Sequence, residues 1–318
     1  MNTTRRTVSA TDRLIGWLKS PFPAKLHSVL VRAIGVAKIF DGETFRRAYF
    51  DTLDPDRQFS VSTHGIEKYV VLNADKAISR TLFIQGSFDF DKVEKVISVM
   101  SGVNKAFKLE TLIDVGANIG TVCIPAVRRG LAANAIAIEP EPLNYRVLVA
   151  NIFLNDLADK IKTYNLALGS EDNQTLELEL SAGHSGDHRI HVGSETGSST
   201  ARSGKITSVK SDTFDSVVPA VDRNSCLIWM DTQGYEGIIL QGAQNIIRAQ
   251  VPMVVEFWPE GMKRMRSYPA LRDAMLTYRE YYDLADEHPR PAPLTQKSVD
   301  ALYERLGETG QWTDVLLI

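Results

Sequence analysis

The chain has 318 residues, 44% of them hydrophobic and 24% charged, with a net charge of −3 and a pI near 6.1. These values exclude global disorder and collagen-like repetition, and they provide no general basic excess for a polyanion, so no nucleic-acid partner is expected. No apolar run nears the roughly 18 residues of a membrane span. The two cysteines, Cys123 and Cys226, sit far apart in apolar stretches, which fits reduced thiols and a cytoplasmic setting.

The first forty residues carry seven Lys or Arg against one acid, and Leu26, Val29, Leu30, Ala33, Val36, Ala37 and Phe40 recur at helical spacing. A helix packed on the main domain, its basic face in solvent, is expected; peripheral membrane contact through that face is the alternative. Residues 1–105 are expected to form a smaller, mainly helical extension, with strands at 67–73 and 81–84 and a helix from Phe90 to Met100. Residues 106–318 are expected to form one doubly wound sheet. Apolar runs at 111–115, 135–139, 226–230 and 251–257 alternate with helical patterns such as Tyr145, Leu148, Val149 and Ile152, and 312–318 adds a closing strand. The Gly- and Ser-rich stretch 181–205 holds His184, His188 and His191. Its glycines argue against a metal-binding helix, so no metal is expected, and the stretch reads as a mobile surface loop.

The first chemical signal is Asp114-Val115-Gly116-Ala117-Asn118-Ile119-Gly120, which follows an apolar strand and opens a helix. Gly116 permits a tight turn and Gly120 a close approach of helix and strand. A side chain at position 116 is expected to obstruct a ligand pocket there. Exposed amides at a helix start suit a carboxylate or phosphate. The motif is neither a GxGxxG fingerprint nor a P-loop. Glu139 ends the next strand, 23 residues after Gly116, where an acid can accept both hydroxyls of a ribose. NAD and S-adenosylmethionine both meet that description, and the missing GxGxxG counts against NAD.

The blocks DVGANIG (114–120), IEP (138–140), Asn151 and Asn155 in NIFLN, ALG (167–169) and DTQGYE (231–236) resemble the FkbM family of S-adenosylmethionine-dependent methyltransferases. The resemblance implies a class I methyltransferase fold: a Rossmann-like, doubly wound α/β domain with a seven-stranded sheet whose last strand runs antiparallel. It implies methyl transfer to a hydroxyl of a small molecule, sugar or glycolipid. It assigns Gly116, Ala117, Asn118 and Gly120 to the loop around the methionine part of the cofactor, and Asp114 to orienting that loop. Glu139 would hold the ribose with Pro140 beneath it, and Asn165 and Ala167 would lie near the adenine. The chain departs from the family at Trp229, where lysine is common, and at Gln233, where glutamate is common.

A neutral hydroxyl is a poor nucleophile, so methyl transfer to oxygen benefits from a base. Asp231 and Glu256 end the fourth and fifth main strands at the carboxyl edge of the sheet, and are the candidate catalytic residues. Capping of the following helix is the alternative role for Asp231, and Glu236 falls in that helix's first turn. A nicotinamide-dependent oxidoreductase and a non-catalytic cofactor-binding protein remain as other readings.

Overall fold

The computed structural model describes residues 42–55, 58–192 and 202–318. The expected basic helix in the first forty residues, and positions 193–201 of the Gly- and Ser-rich stretch, lie outside the described residues. Helix α1 (Gly42–Asp51) belongs to a unit of its own. The larger unit runs from Leu53 to Ile318.

That unit opens with an antiparallel pair, β1 (Phe59–Ser62) and β2 (Tyr69–Leu72), followed by α2 (Ile78–Gln85) and α3 (Phe90–Val103). The run 81–84, expected as a strand, lies inside α2. The flanks decide the outcome. Asp75 accepts hydrogen bonds from the amides of Ala77 and Ser79 at 3.0 and 2.8 Å, and Gly86 closes the helix at φ 83°. A four-residue apolar run fits helix or strand equally, whereas a capping acid before it and a left-handed glycine after it fit a helix.

From residue 111 strands and helices alternate: β3 (Thr111–Val115), α4 (Cys123–Arg128), β4 (Asn134–Ile138), α5 (Pro142–Leu154) and β5 (Ile161–Tyr164). An excursion follows, made of β6 (Ala167–Gly169), β7 (Gln174–Ser181), β8 (Arg189–Ile190), β9 (Arg202–Thr213) and the short α6 (Phe214–Val217). The alternation resumes with β10 (Cys226–Met230), α7 (Glu236–Gln241), α8 (Gln244–Ala249), β11 (Met253–Phe257), α9 (Pro259–Met265) and α10 (Tyr268–Met275). It ends with β12 (Glu280–Asp283), β13 (Ala292–Pro293), α11 (Gln296–Leu306) and β14 (Thr313–Leu317).

The main sheet has the order β13-β12-β14-β11-β10-β3-β4-β5. Strands β5, β4, β3, β10 and β11 are parallel, and β14 runs antiparallel to both its neighbours. The seven expected strands are therefore present with the expected reversal, but the two-residue β13 adds an eighth at the edge. Every residue of β10, β11 and β14 is buried, as strands covered on both faces require. Strand order reverses between β3 and β10, so their carboxyl ends mark the crevice where open α/β sheets bind ligands.

The expectation of one sheet over 106–318 needs correcting. The four strands β6 to β9 build a second sheet of order β6-β9-β7-β8. In β7, Leu176, Leu178 and Leu180 alternate with polar residues and pack with Ala167, Val209 and Ile190. The segment after β7, expected as mobile loop, is docked: Ser185 and Arg189 are buried. Among the described residues, no helix is long and apolar enough to cross a membrane.

Candidate functional site

The carboxyl ends of β3, β4 and β10 open into a cleft of about 1070 Å³, part of it open to solvent. Its floor is the turn after β3. Gly116 has φ 85°, and a Cβ there would lie 2.0 Å from the Asp231 carbonyl oxygen. A side chain at 116 would therefore strike the backbone beyond β10, at residues that themselves line the cleft. Asp114 Oδ2 accepts the Cys123 amide at 3.0 Å and ties the turn to the start of α4. That helix begins only at Cys123, three positions after Gly120. Burial raises the Asp114 carboxyl to about 7, against the lowering effect of its bonds to Cys123.

Asn118, at φ 50°, donates its backbone N–H to Glu139 Oε2 at 2.8 Å, and the Glu141 amide donates to Glu139 Oε1 at 2.8 Å. Burial still raises Glu139 to about 8. The side-chain amides of Asn118 and Asn144 both donate to the Ser185 carbonyl, at 2.8 and 3.0 Å, and Ser185 Oγ donates to Asp75 at 2.7 Å. The segment around Ser185 thereby forms a wall of the cleft, which Gly186 and His188 share. His188 Nδ1 accepts the Ser181 amide at 3.0 Å, and burial lowers its pKa.

The other expected cofactor residues divide. Pro140 and Ala167 line the cleft, the latter with Leu166 and Leu168. Ala117 is buried, and a Cβ at Gly120 would meet Ile124 and Leu148, so these two pack the turn from behind. Asn165 is exposed, and its amide donates to the carbonyls of Glu139 at 2.9 Å and Pro140 at 3.1 Å. It tethers the turn after β4 instead of facing the cleft.

Asp231 follows β10 and is exposed to the cleft; Glu256 on β11 is buried beside it. Gln233 joins them. Its amide donates to Asp231 Oδ1 at 3.0 Å and to both carboxylate oxygens of Glu256 at 3.3 Å. The departure from the family at 233 has a physical consequence: a neutral donor stands between two acids, where glutamate would add a third charge. Asp231 does not cap α7. The N-cap, Tyr235, makes no side-chain bond, and Glu236 at the helix start instead ties the preceding loop, accepting from the Thr232 amide at 2.7 Å and its hydroxyl at 2.9 Å. Burial raises Glu236 to about 7.

Enclosure at the bottom of the cleft, then the neighbouring Asp314, push Asp231 up to about 6. Burial, then Asp231, Glu236 and Asp314, push Glu256 well above the carboxylate range. Both carboxyls are thus held above their ordinary range, chiefly by burial. Trp229, the second departure, is a buried strand residue that also lines the cleft.

Sequence reasoning missed the opposite wall, built from Phe88, Asp89 and Lys92 around the start of α3 and from Trp312 and Asp314 at β14. Lys92 Nζ lies 2.8 Å from Asp89 and 2.7 Å from Asp314, and 4.6 Å from the centre of the Trp312 ring. Burial would lower the ammonium, but Asp314 and Asp89 outweigh it and hold it above its ordinary range. The one available signal was an acid, Asp314, inside the apolar run WTDVLLI.

The family described as the methyltransferase FkbM domain matches residues 114–281. Among curated proteins, a tRNA (guanine(37)-N(1))-methyltransferase from Danio rerio is 32% identical over 115 residues, covering 33% of this chain and 22% of that protein. The chain thus spans about a fifth of that relative's length. Solved structures with similar folds include a methyltransferase FkbM from Methylobacillus flagellatus KT, at 16% identity and TM-score 0.40, covering 66% of this chain and 44% of that one. TYW2 from M. jannaschii, solved with AdoMet, matches at 14% identity and TM-score 0.39, covering 82% and 84%. The exclusion of nucleic acid, drawn from net charge alone, gains no support from these relatives. The family match takes in more than half of the chain and holds both the turn after β3 and the acids after β10 and on β11, and on that basis the protein belongs to the FkbM methyltransferase family.

Proposed function

We propose that this methyltransferase uses S-adenosylmethionine to methylate a hydroxyl oxygen of a small or glycan-related acceptor. The observation that carries the reading is the pair joined by Gln233: Asp231 open to the cleft, and Glu256 buried behind it. Asp231 is thereby fixed by the Gln233 amide at a place where its carboxylate can accept a hydroxyl proton.

The residues present fit the cofactor. Each Glu139 oxygen accepts one backbone N–H and retains a lone pair for a ribose hydroxyl. Asn144 Oδ1, on the cleft wall, is buried without a partner and can accept a further donor. Leu166, Ala167 and Leu168 offer an apolar wall suited to adenine. When bound, S-adenosylmethionine supplies an electrophilic methyl group on a positively charged sulfur. Asp114 and Gly116 hold the turn, Glu139 holds the ribose, and Asp231 accepts the acceptor's proton directly or through one water.

In this reading residues 106–318 hold the cofactor, the 1–105 extension adds Phe88, Asp89 and Lys92 to the acceptor side, and the setting is cytoplasmic. Calorimetry with S-adenosylmethionine and NAD, followed by labelled methyl transfer to a panel of hydroxylated acceptors and RNA, tests it. Binding of NAD alone would favour an oxidoreductase. Cofactor binding with no transfer to any acceptor would favour a non-catalytic protein, and transfer only to RNA nitrogen would refute the oxygen-directed reading.

A further inference from the structure

The acceptor side of the cleft has a charge balance and a surface that restrict what can enter. Asp89, Asp231 and Asp314 meet there, and Glu139 and Asp114 add carboxyl groups on the cofactor side. Among the described residues lining the cleft, Lys92 is the one cation apart from His188, whose burial favours the neutral ring. Lys92 is already engaged: two carboxylates hold its ammonium at 2.8 and 2.7 Å, and it rests over the Trp312 ring. It has little capacity left for an incoming anion. Three aspartates stand on the acceptor side against the single ammonium of Lys92, so the side is acidic. A phosphate or carboxylate entering this partly enclosed space would meet repulsion strengthened by the low local dielectric.

The surface is amphipathic. Trp312 is 49% exposed and lines the cleft with the half-buried Phe88. An aromatic face attracts the weakly positive C–H groups of a saturated ring. The carboxylates and the Gln233 amide beside it can bond hydroxyls on that ring's edge. Lys92 and Asp314 fix one another, so these polar groups are preorganised.

We infer that the wall formed by Trp312, Phe88, Lys92 and Asp314 is an acceptor subsite selective for an uncharged, polyhydroxylated ring, with Trp312 as its stacking platform and anionic rings and nucleic acid excluded. The inference rests on the hydroxyl-directed reading above and deepens it.

Binding and transfer are measured separately on the full chain. Saturation-transfer NMR, in the presence of S-adenosylhomocysteine, compares neutral methyl hexosides, the matching methyl hexuronides and a short RNA oligonucleotide. The expected result is signal from the neutral glycosides, at least tenfold weaker signal from the uronides and none from the RNA. Trp312→Ala should weaken glycoside binding at least tenfold and Trp312→Phe should restore most of it, with S-adenosylhomocysteine affinity unchanged in both. Uronides or RNA binding as well as neutral glycosides, no neutral glycoside binding, or Trp312→Ala binding normally, would each overturn the subsite. Normal glycoside binding with no methyl transferred to oxygen would leave the subsite standing and refute the proposed function instead.

Discussion

Gly116→Ala gives the most direct test of how the site is built. At φ 85° an alanine adopts the left-handed region, which costs about 1–2 kcal/mol. Its Cβ would also lie 2.0 Å from the Asp231 carbonyl oxygen and 3.1 Å from the carbonyl carbon, both backbone atoms that no rotamer change can move. Relief requires the ends of β3 and β10 to part by more than an ångström. Such a shift strains two backbone bonds, Asp231 N–H to Val115 O across β3 and β10 at 3.1 Å, and Gly116 N–H to Ile138 O on β4 at 2.9 Å. Weakening them adds about 1 kcal/mol each. The total is roughly 3–4 kcal/mol, which for a domain of this size lowers Tm by roughly 6–16 °C. Thermal unfolding by circular dichroism, with calorimetric cofactor titration at a temperature where the variant remains folded, measures both consequences. Gly120→Ala is the control: φ is 94°, but the nearest atom is the Ile124 Cδ1 methyl at 2.4 Å, which can swing aside. It should lose only about 1–2 kcal/mol. A Gly116→Ala protein that melts within 2 °C of the parent, or that is more stable than Gly120→Ala, would refute the close-approach argument.

Asp231→Asn removes the proton acceptor while keeping shape, and should lower turnover on a proven acceptor by roughly a hundred- to ten-thousand-fold with cofactor affinity little changed; normal turnover would move attention to Glu256. Because the competent form of Asp231 is ionised, turnover should rise with pH through about 6 and level off above it, and a rate that falls across that range would contradict the assignment. Stability should follow the opposite course. Asp231, Asp114 and Glu139 are raised in the fold to about 6, 7 and 8, so the folded chain keeps protons that the unfolded chain releases from about pH 4 upward. Cofactor-free protein should therefore resist urea better at pH 5.5 than at pH 8, and equal midpoints would show that these carboxyls are not raised. Glu139→Gln sets an NH2 donor against one of the two backbone N–H groups that the carboxylate accepts, so it should lower cofactor-free stability by about 1–3 kcal/mol and weaken S-adenosylmethionine binding by about 1.5–3 kcal/mol, read by urea midpoint and calorimetry. Gly102→Ala, in α3 with open space around its Cβ, should add about 0.5–1 kcal/mol of stability and leave binding alone.

The main sheet was legible because its strands are buried on both faces and read as unbroken apolar runs: 111–115 and 226–230 coincide with β3 and β10. Segment 81–84 misled because four apolar residues have no resolvable period, and its helix is set by Asp75 and Gly86 outside the run. The second sheet was hidden by Gly- and Ser-rich composition, although QTLELELS carried the alternation of a strand. Glu139 and Asp231 could be placed on the cleft because a strand end fixes its next residue. Asn165 could not, because β5 ends at Tyr164 and the break before β6 turns its side chain back onto two carbonyls. The pairing of Lys92 with Asp314 crosses 222 positions, and no local pattern announces a contact of that separation. Net charge was the weakest guide. A chain near neutrality overall concentrates acids in its cleft.

The place of β14 between β11 and β12 has a consequence for synthesis. Sixty positions separate Phe257, where β11 ends, from Leu317, where β14 ends. At about 5–20 residues per second a ribosome needs roughly 3–12 s to cover them. Throughout that interval the edge of β11 is a row of unmet backbone donors and acceptors, and β12 has arrived without its partner. The nascent chain is then open to pairing with a neighbour on the same message, and chaperone capture should be greatest in this window. Asp314 arrives on the same strand, so the acceptor wall and the cure for the open edge are completed in one event. A methyl-transfer cleft assembled this way stays incomplete on every chain still short of that strand.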